Sequence, residues 1–217
     1  MVTSERPRAE SSVGIVLVAG PPGSGKGTQC ARLAEQHGWG HLSSGEHFRD
    51  LIARRTPLGL KLQSLVDAGG LVPDDLTVEI VLRALDEMAY ELVLLDGFPR
   101  TLPQAHALIE RSTHHVVRRV VELSVPTRVS FERLAERARS DDDVSAIRLR
   151  LALYESQTRP AIEWFSGLGI VVTIDGNQPP PDVGDAIASA LADLDVLDGI
   201  AAAPSPSSSS SSGAATV

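Results

Sequence analysis

The chain has 217 residues, 42% of them hydrophobic, enough to bury one sizeable core and to set the expectation of a single domain with a small insertion. A formal charge of −8 argues against a broad nucleic-acid-binding face, although a local pocket can still be positive inside an acidic molecule. No apolar run approaches the roughly 20 residues of a membrane span, and the single cysteine, Cys30, excludes an internal disulfide.

Residues 1–12 are polar and lack the apolar centre of a secretory signal, so the expected compartment is the cytosol. Apolar runs bounded by turn residues then predict a strand at 13–19, a helix at 28–37 and a short strand at 40–43. Three helices follow with no strand between them, at 45–55, 58–68 and 74–88. A strand at 92–95, a helix at 102–111, a strand at 116–123 and helices at 127–138 and 144–165 come next, before a last strand at 170–174 and a last helix at 182–194. Pro73-Asp74-Asp75 and Pro126-Thr127 supply helix-start signals. Strand–helix alternation of this kind predicts an α/β fold with a five-stranded parallel sheet covered on both faces. The consecutive helices from 44 onward form an insertion between the second and third strands, a place where movable flaps over ligands are built. The polar residues 1–12 and the Ser/Ala/Pro tail 201–217, with six serines at 207–212, are expected to be disordered, because such sequence buries too little to offset its ordering entropy.

The chemistry begins directly after the first strand. Gly20-Pro21-Pro22-Gly23-Ser24-Gly25-Lys26-Gly27-Thr28-Gln29 has the order of a phosphate-binding loop. Its glycines let backbone N–H groups turn inward around an anion, and the following helix offers its positive end. Lys26 adds a mobile cation; the 20 basic residues comprise only Lys26, Lys61 and 18 arginines, yet this position is lysine, where a compact ammonium fits and a planar guanidinium would not. One residue departs from the general pattern: a Mg²⁺-holding Ser or Thr should follow the lysine, but Gly27 stands there and Thr28 comes one place later. Further on, the apolar run 92–95 ends in Asp96, followed by Gly97-Phe98-Pro99-Arg100. An acid at the end of a strand neighbouring a phosphate-binding loop sits near Mg²⁺ in such proteins and is otherwise an ordinary turn or helix cap; Arg100, a guanidinium on the same loop, weakens the second reading.

With these phrases in hand, the chain resembles the adenylate kinases, within the broader nucleoside monophosphate kinases. The matching phrases are 20–29, Ser-Ser-Gly-Glu-His-Phe-Arg at 43–49, Asp-Ala-Gly-Gly-Leu-Val-Pro-Asp at 67–74, Leu-Asp-Gly-Phe-Pro-Arg-Thr-Leu-Pro-Gln-Ala at 95–105 and Arg-Ser-Asp-Asp-Asp at 139–143. They occur in the family's order, and Lys-Gly-Thr at 26–28 is typical of it. The resemblance implies a P-loop three-layer sandwich spanning 13–200, with a nucleotide-binding insertion at about 44–73 and a very short lid at about 137–143. It implies reversible Mg²⁺-dependent transfer from ATP to AMP, giving two ADP, by a cytoplasmic enzyme that acts as a monomer without nucleic acid or membrane partners.

The site residues it implies are these. Gly23, Ser24, Gly25, Lys26, Gly27 and Thr28 would hold the donor phosphates, with Arg133, Arg137 and Gln178 completing the ATP site. Arg49 and Arg100 would clamp the acceptor phosphate, while Ser44, Gly45, Val72, Gly97 and Gln104 would line the acceptor site. Arg137, Arg139 and Arg150 would surround the moving phosphoryl group, with Lys26 and Arg100, and Arg139 and Arg150 would also meet AMP. Mg²⁺ would be held by the nucleotide and waters, with Asp96 behind the waters, and no direct protein ligand is implied. Structural zinc is excluded, since Cys30 alone cannot build the four-cysteine site of long-lid relatives.

Read without the family, Arg133 and Arg137 share one helical face and also admit a salt-bridged helix with Glu132 and Glu136. The lid departs from the pattern, since only Ala138 separates Arg137 from Arg139 where short-lid relatives keep several residues. Two alternatives therefore stay open beside AMP transfer: a UMP/CMP or other monophosphate kinase, and a nucleotide-binding module weakened in turnover.

Overall fold

The computed structural model describes residues 13–67, 72–137, 143–192 and 194. The two ends expected to be disordered, Arg139 and residues 138–142 of the expected lid lie outside the described residues. In chain order the elements are β1 (Val13–Ala19), α1 (Lys26–His37), β2 (Gly40–Ser43), α2 (Ser44–Ala53), α3 (Pro57–Asp67), α4 (Asp74–Asp86), β3 (Leu92–Asp96), α5 (Leu102–Arg111), β4 (His115–Ser124) and α6 (Thr127–Arg137). They continue with α7 (Val144–Leu153), a π-helical turn (Tyr154–Thr158), α8 (Arg159–Gly167), β5 (Val171–Asp175) and α9 (Pro180–Leu191).

All five strands run parallel in the order β2-β3-β1-β4-β5. The unbroken apolar run of β1 follows from this placement, because a central strand is covered on both faces. Ile15 and Leu17 face a core built with Val78, Val81 and Leu85 of α4, Ala105 and Leu108 of α5 and Ala161 and Phe165 of α8. Val16 and Val18 face the opposite core, closed by Cys30 and Leu33 of α1 and Val183, Ile187 and Leu191 of α9. Helices on both faces of one sheet make the three-layer sandwich expected. A smaller cluster of Leu134, Ile147 and Leu151 joins α6 to α7.

Two features depart from the periodicity. The register between β1 and β4 slips between Ile15 and Val16, which pair with Val117 and Arg119 and leave Arg118 as an extra residue. That bulge explains why Val117 and Val120 reach the same core although their spacing is odd. The single helix expected over 144–165 is interrupted by the π-helical turn, where the N–H of Arg159 bonds to the carbonyl of Tyr154. Pro160 accounts for it: proline has no N–H to give, and its ring conflicts with the carbonyl four residues back.

Going from β1 the chain moves toward β2, whereas from β3 it crosses β1 to reach β4. Loops leaving β1 and β3 thus part in opposite directions and open a crevice at the carboxyl ends of the strands, where ligands of such sheets bind. Val18, Ser43 and Asp96 are level across the three strands bordering it.

Candidate active site

The loop between β1 and α1 owes its path to glycine. Gly20 has φ 139° and Gly23 φ 82°, and a Cβ on them would stand 2.6 Å from the carbonyl oxygen of Leu123 and 2.5 Å from that of Ser130. Neither position admits a side chain. Gly25, also left-handed, closes the loop, so α1 begins at Lys26. The Nζ of Lys26 donates to the carbonyls of Gly20 at 2.8 Å and Pro21 at 2.9 Å, and to the Ser24 hydroxyl at 3.3 Å. Burial lowers its pKa to about 8, with Asp96 opposing the fall.

Asp96, at the end of β3, is buried at 8% exposure. A Cβ on Gly27 would lie 3.4 Å from its Oδ2. Glycine after the lysine therefore leaves the carboxylate an open approach to the first turn of α1, and no hydroxyl competes for the place. Thr28 is exposed on α1. One buried carboxylate, with glycine rather than Ser or Thr after the lysine, fits a Mg²⁺ ion held chiefly by phosphates and water. Among the described residues, no group of three or more His, Cys, Asp or Glu side chains is arranged to hold a metal.

Across the crevice, guanidinium groups converge. Arg100 is anchored by its Nε, which donates to the carbonyl of Gly97 at 2.7 Å. A Cβ built on Gly45 would lie 3.5 Å from Arg100 Nη2 and 3.5 Å from Arg49 Nη1, so both reach the same point above the start of α2. Burial lowers the pKa of Arg100; Asp96 counters this, and Arg150 and Arg49 push it further down. Clustered cations of this kind are stabilised by an anion, and a perturbed group among them marks a functional site. Arg150, on α7, and Arg137, whose charge reaches Lys26, both belong to this field.

The remaining predicted residues are distributed as follows. Ser44 is buried at 4% exposure, with its hydroxyl 2.9 Å from where a Cβ on Gly97 would stand. Val72 is half-buried just before α4. Gln104, buried on α5, accepts from the backbone N–H of Arg100 at 2.7 Å and donates from Nε2 to Asp74 Oδ1 at 2.7 Å. Arg133 does not pair with Glu132, which takes Arg128 instead; its Nη1 donates to the carbonyl of Gly176 at 3.0 Å. In the loop after β5, Gln178 donates to Asp175 at 2.6 Å. Arg139 falls outside the described residues.

Contacts at three further residues add to the predicted set. Asp74 was read only as a helix start, yet it holds Gln104 and accepts from Thr101 Oγ1 at 3.1 Å. The Thr158 hydroxyl, carried by the π-helical turn, donates to the carbonyl of Arg100 at 2.9 Å. Arg159 lies over the Tyr154 ring at 5.5 Å and pairs with Glu155. A cavity of about 600 Å³ opens beside Pro21, lined by Glu122, Tyr154, Glu155 and Asp175 among others. Glu122, Glu155 and Asp175 outnumber Arg159 in its lining, which sets it apart from the cationic centre.

Among the described residues, no helix is long and apolar enough to cross a membrane. A family model described as adenylate kinase matches residues 18–170. The adenylate kinase of Thermus thermophilus is 40% identical over 182 residues, covering 81% of this chain and 96% of the relative. That of Methylobacterium nodulans is 40% identical over 185 residues, 79% of this chain and 93% of the relative. The Deinococcus radiodurans enzyme is 38% identical over 189 residues, 82% and 96%. With the loop, the strand-end carboxylate and the converging arginines all inside the matched span, the chain belongs to the adenylate kinase family.

Proposed function

We propose that this crevice transfers the terminal phosphoryl group of Mg²⁺-ATP to the phosphate of AMP, reversibly, giving two ADP. The carrying observation is the convergence of Lys26, Arg49, Arg100 and Arg150 around one buried carboxylate, Asp96. An oxygen of the acceptor phosphate attacks the γ-phosphorus, the bond to the β–γ bridging oxygen breaks, and the electron pair leaves on ADP. The acceptor is already an anion, so no general base is needed. Catalysis is alignment and charge neutralisation.

In this assignment the amides of Gly23, Ser24, Gly25 and Gly27, with Lys26, hold the β- and γ-phosphates, and Thr28 lies near the α-phosphate. Arg133, Arg137 and Gln178 border the rest of the donor. Arg49 and Arg100 grip the acceptor phosphate as planar forks, while Ser44, Gly45, Val72, Gly97 and Gln104 line the acceptor's remaining surface. Arg137, Arg139 and Arg150 surround the moving phosphoryl group, and Arg139 and Arg150 also meet AMP. Asp96 would hold Mg²⁺ through its waters, and the ion would supply charge neutralisation at the phosphates. Residues 13–200 act as one domain in which the insertion at 44–73 and the lid at 137–143 close over the crevice and exclude water. We place the enzyme in the cytosol as a monomer acting on free ATP, AMP and ADP, with neither nucleic acid nor membrane as partner; the net charge of −8 argues against a nucleic-acid partner.

A coupled assay with ATP and each of AMP, CMP, UMP and GMP tests the reading. AMP is expected to be the best acceptor. Transfer to none of them, with ATP binding intact, overturns the enzyme; a preference for CMP or UMP overturns the acceptor.

A further inference from the structure

We propose that Asp74 is the positioning residue that selects the acceptor base, by fixing which way round the Gln104 amide is held. This rests on the reading that Gln104 meets that base. A glutamine amide can turn over, exchanging its oxygen and nitrogen, and then recognises the opposite hydrogen-bonding pattern.

Here both ends of the amide are tied to groups whose polarity cannot change. The Oε1 atom accepts from the backbone N–H of Arg100 at 2.7 Å, and an amide N–H can only donate. The Nε2 atom donates to Asp74 Oδ1 at 2.7 Å, and an ionised carboxylate can only accept. The carboxylate is itself held, because its Oδ2 accepts from the Thr101 hydroxyl at 3.1 Å. That same hydroxyl oxygen accepts from the backbone N–H of Gln104 at 3.2 Å, so the starts of α4 and α5 are clasped together. Asp74 is the first residue of α4, where the helix end favours a negative charge.

One N–H of Nε2 and one acceptor site of Oε1 remain, in fixed order. They match a base edge with an acceptor beside an amino donor, as in adenine and cytosine. Guanine and uracil present an N–H donor beside a carbonyl, which requires the turned amide. Turning it would set Nε2 against the Arg100 N–H and Oε1 against the Asp74 carboxylate, two unsatisfied contacts in a buried place. Asp74 thus discriminates against oxo-bases without touching the base.

The test is initial-rate kinetics of the full chain with ATP and saturating Mg²⁺, using AMP and GMP as acceptors, for wild type, Asp74→Asn, Asp74→Ala, Asp74→Glu and Gln104→Ala, with melting temperatures alongside. Asp74→Asn and Asp74→Ala are expected to lower the AMP-to-GMP ratio of kcat/KM by roughly 10- to 100-fold, mainly through KM, and Asp74→Glu to restore part of it. A purely structural Asp74 would lower the melting temperature and leave the ratio within about twofold, which overturns the proposal. The isosteric Asp74→Asn keeps the test open if Asp74→Ala does not fold. If Gln104→Ala leaves the KM for AMP unchanged, the base-reading role of Gln104 fails and the proposal with it. If Gln104→Ala raises that KM while Asp74→Asn leaves the ratio unchanged, the lock alone fails.

Discussion

The ammonium of Lys26 donates to the carbonyl oxygen of Gly20 at 2.8 Å, so the cation assigned to a triphosphate is held by its own loop. Burial lowers its pKa from 10.5 to about 8, and Asp96 recovers part of the difference. Between these values the unfolded chain carries a proton that the native loop has lost, so this residue's contribution to stability rises with pH across that window. Affinity for a triphosphate moves the other way, because the anion binds the protonated form. Calorimetric titration with ATP from pH 7 to 9.5 should therefore show a Kd nearly constant below pH 8 and weakening above it, by up to about tenfold per pH unit. Lys26→Met should bind weakly throughout and lose the slope. A wild-type Kd that is flat to pH 9.5 would count against the assignment.

Arg100 uses its Nε to hold the Gly97 carbonyl while its Nη2 reaches toward Gly45. Lysine offers only one nitrogen and cannot do both. Arg100→Lys should raise the KM for AMP by roughly 10- to 100-fold while the KM for ATP changes by less than about threefold. The native fold should survive, since the anchor is a single hydrogen bond at the rim of the crevice. Equal losses for both substrates, or a chain that no longer melts cooperatively, would remove Arg100 from the acceptor phosphate.

What could be read from the sequence was local. The run at 13–19 followed at once by Gly20 to Gln29 announces a buried strand and an anion loop because spacing and residue type alone dictate both. Asp96 and Arg100 were legible for the same reason, as the end of an apolar run and its loop. The contacts that tune these groups join distant stretches. Gln104 and Asp74 are 30 residues apart, and Arg133 and Gly176 are 43 apart, so neither pairing leaves a periodic trace. Pro160 was a visible signal for the π-helical turn, but the apolar pattern on either side hid it. The Arg118 bulge had no signal, since one added residue within an apolar strand changes no composition.

Arg133 links α6 to the loop after β5 through the carbonyl of Gly176, beside the Gln178–Asp175 pair. That ties α6 to the loop proposed to border the donor. Arg133→Ala should raise the KM for ATP by about tenfold with the KM for AMP nearly unchanged, because in the proposed reading its guanidinium borders the donor and a charged hydrogen bond to a ligand contributes about 1.5–3 kcal/mol. The melting temperature should fall slightly, the tie being half-buried. An ATP KM within twofold of wild type would leave Arg133 as a tether without a share in donor binding.

The short connection after α6 bears on water. Only Ala138 lies between Arg137 and Arg139, and in the proposed reading the lid at 137–143 therefore has few residues with which to cover the reacting phosphates. Water is far more concentrated than any nucleotide, and a site that admits it loses γ-phosphate to hydrolysis. Release of phosphate from ATP without acceptor should exceed that of the Lys26→Met variant measured in parallel. Adding several residues ending in glycine after Arg137 should then lower hydrolysis relative to transfer, because a longer segment can reach across the crevice. Hydrolysis equal to the Lys26→Met background would show that the short connection excludes water well enough. Hydrolysis that stays high after the insertion would place the entry of water elsewhere, on the side of α2 and α3.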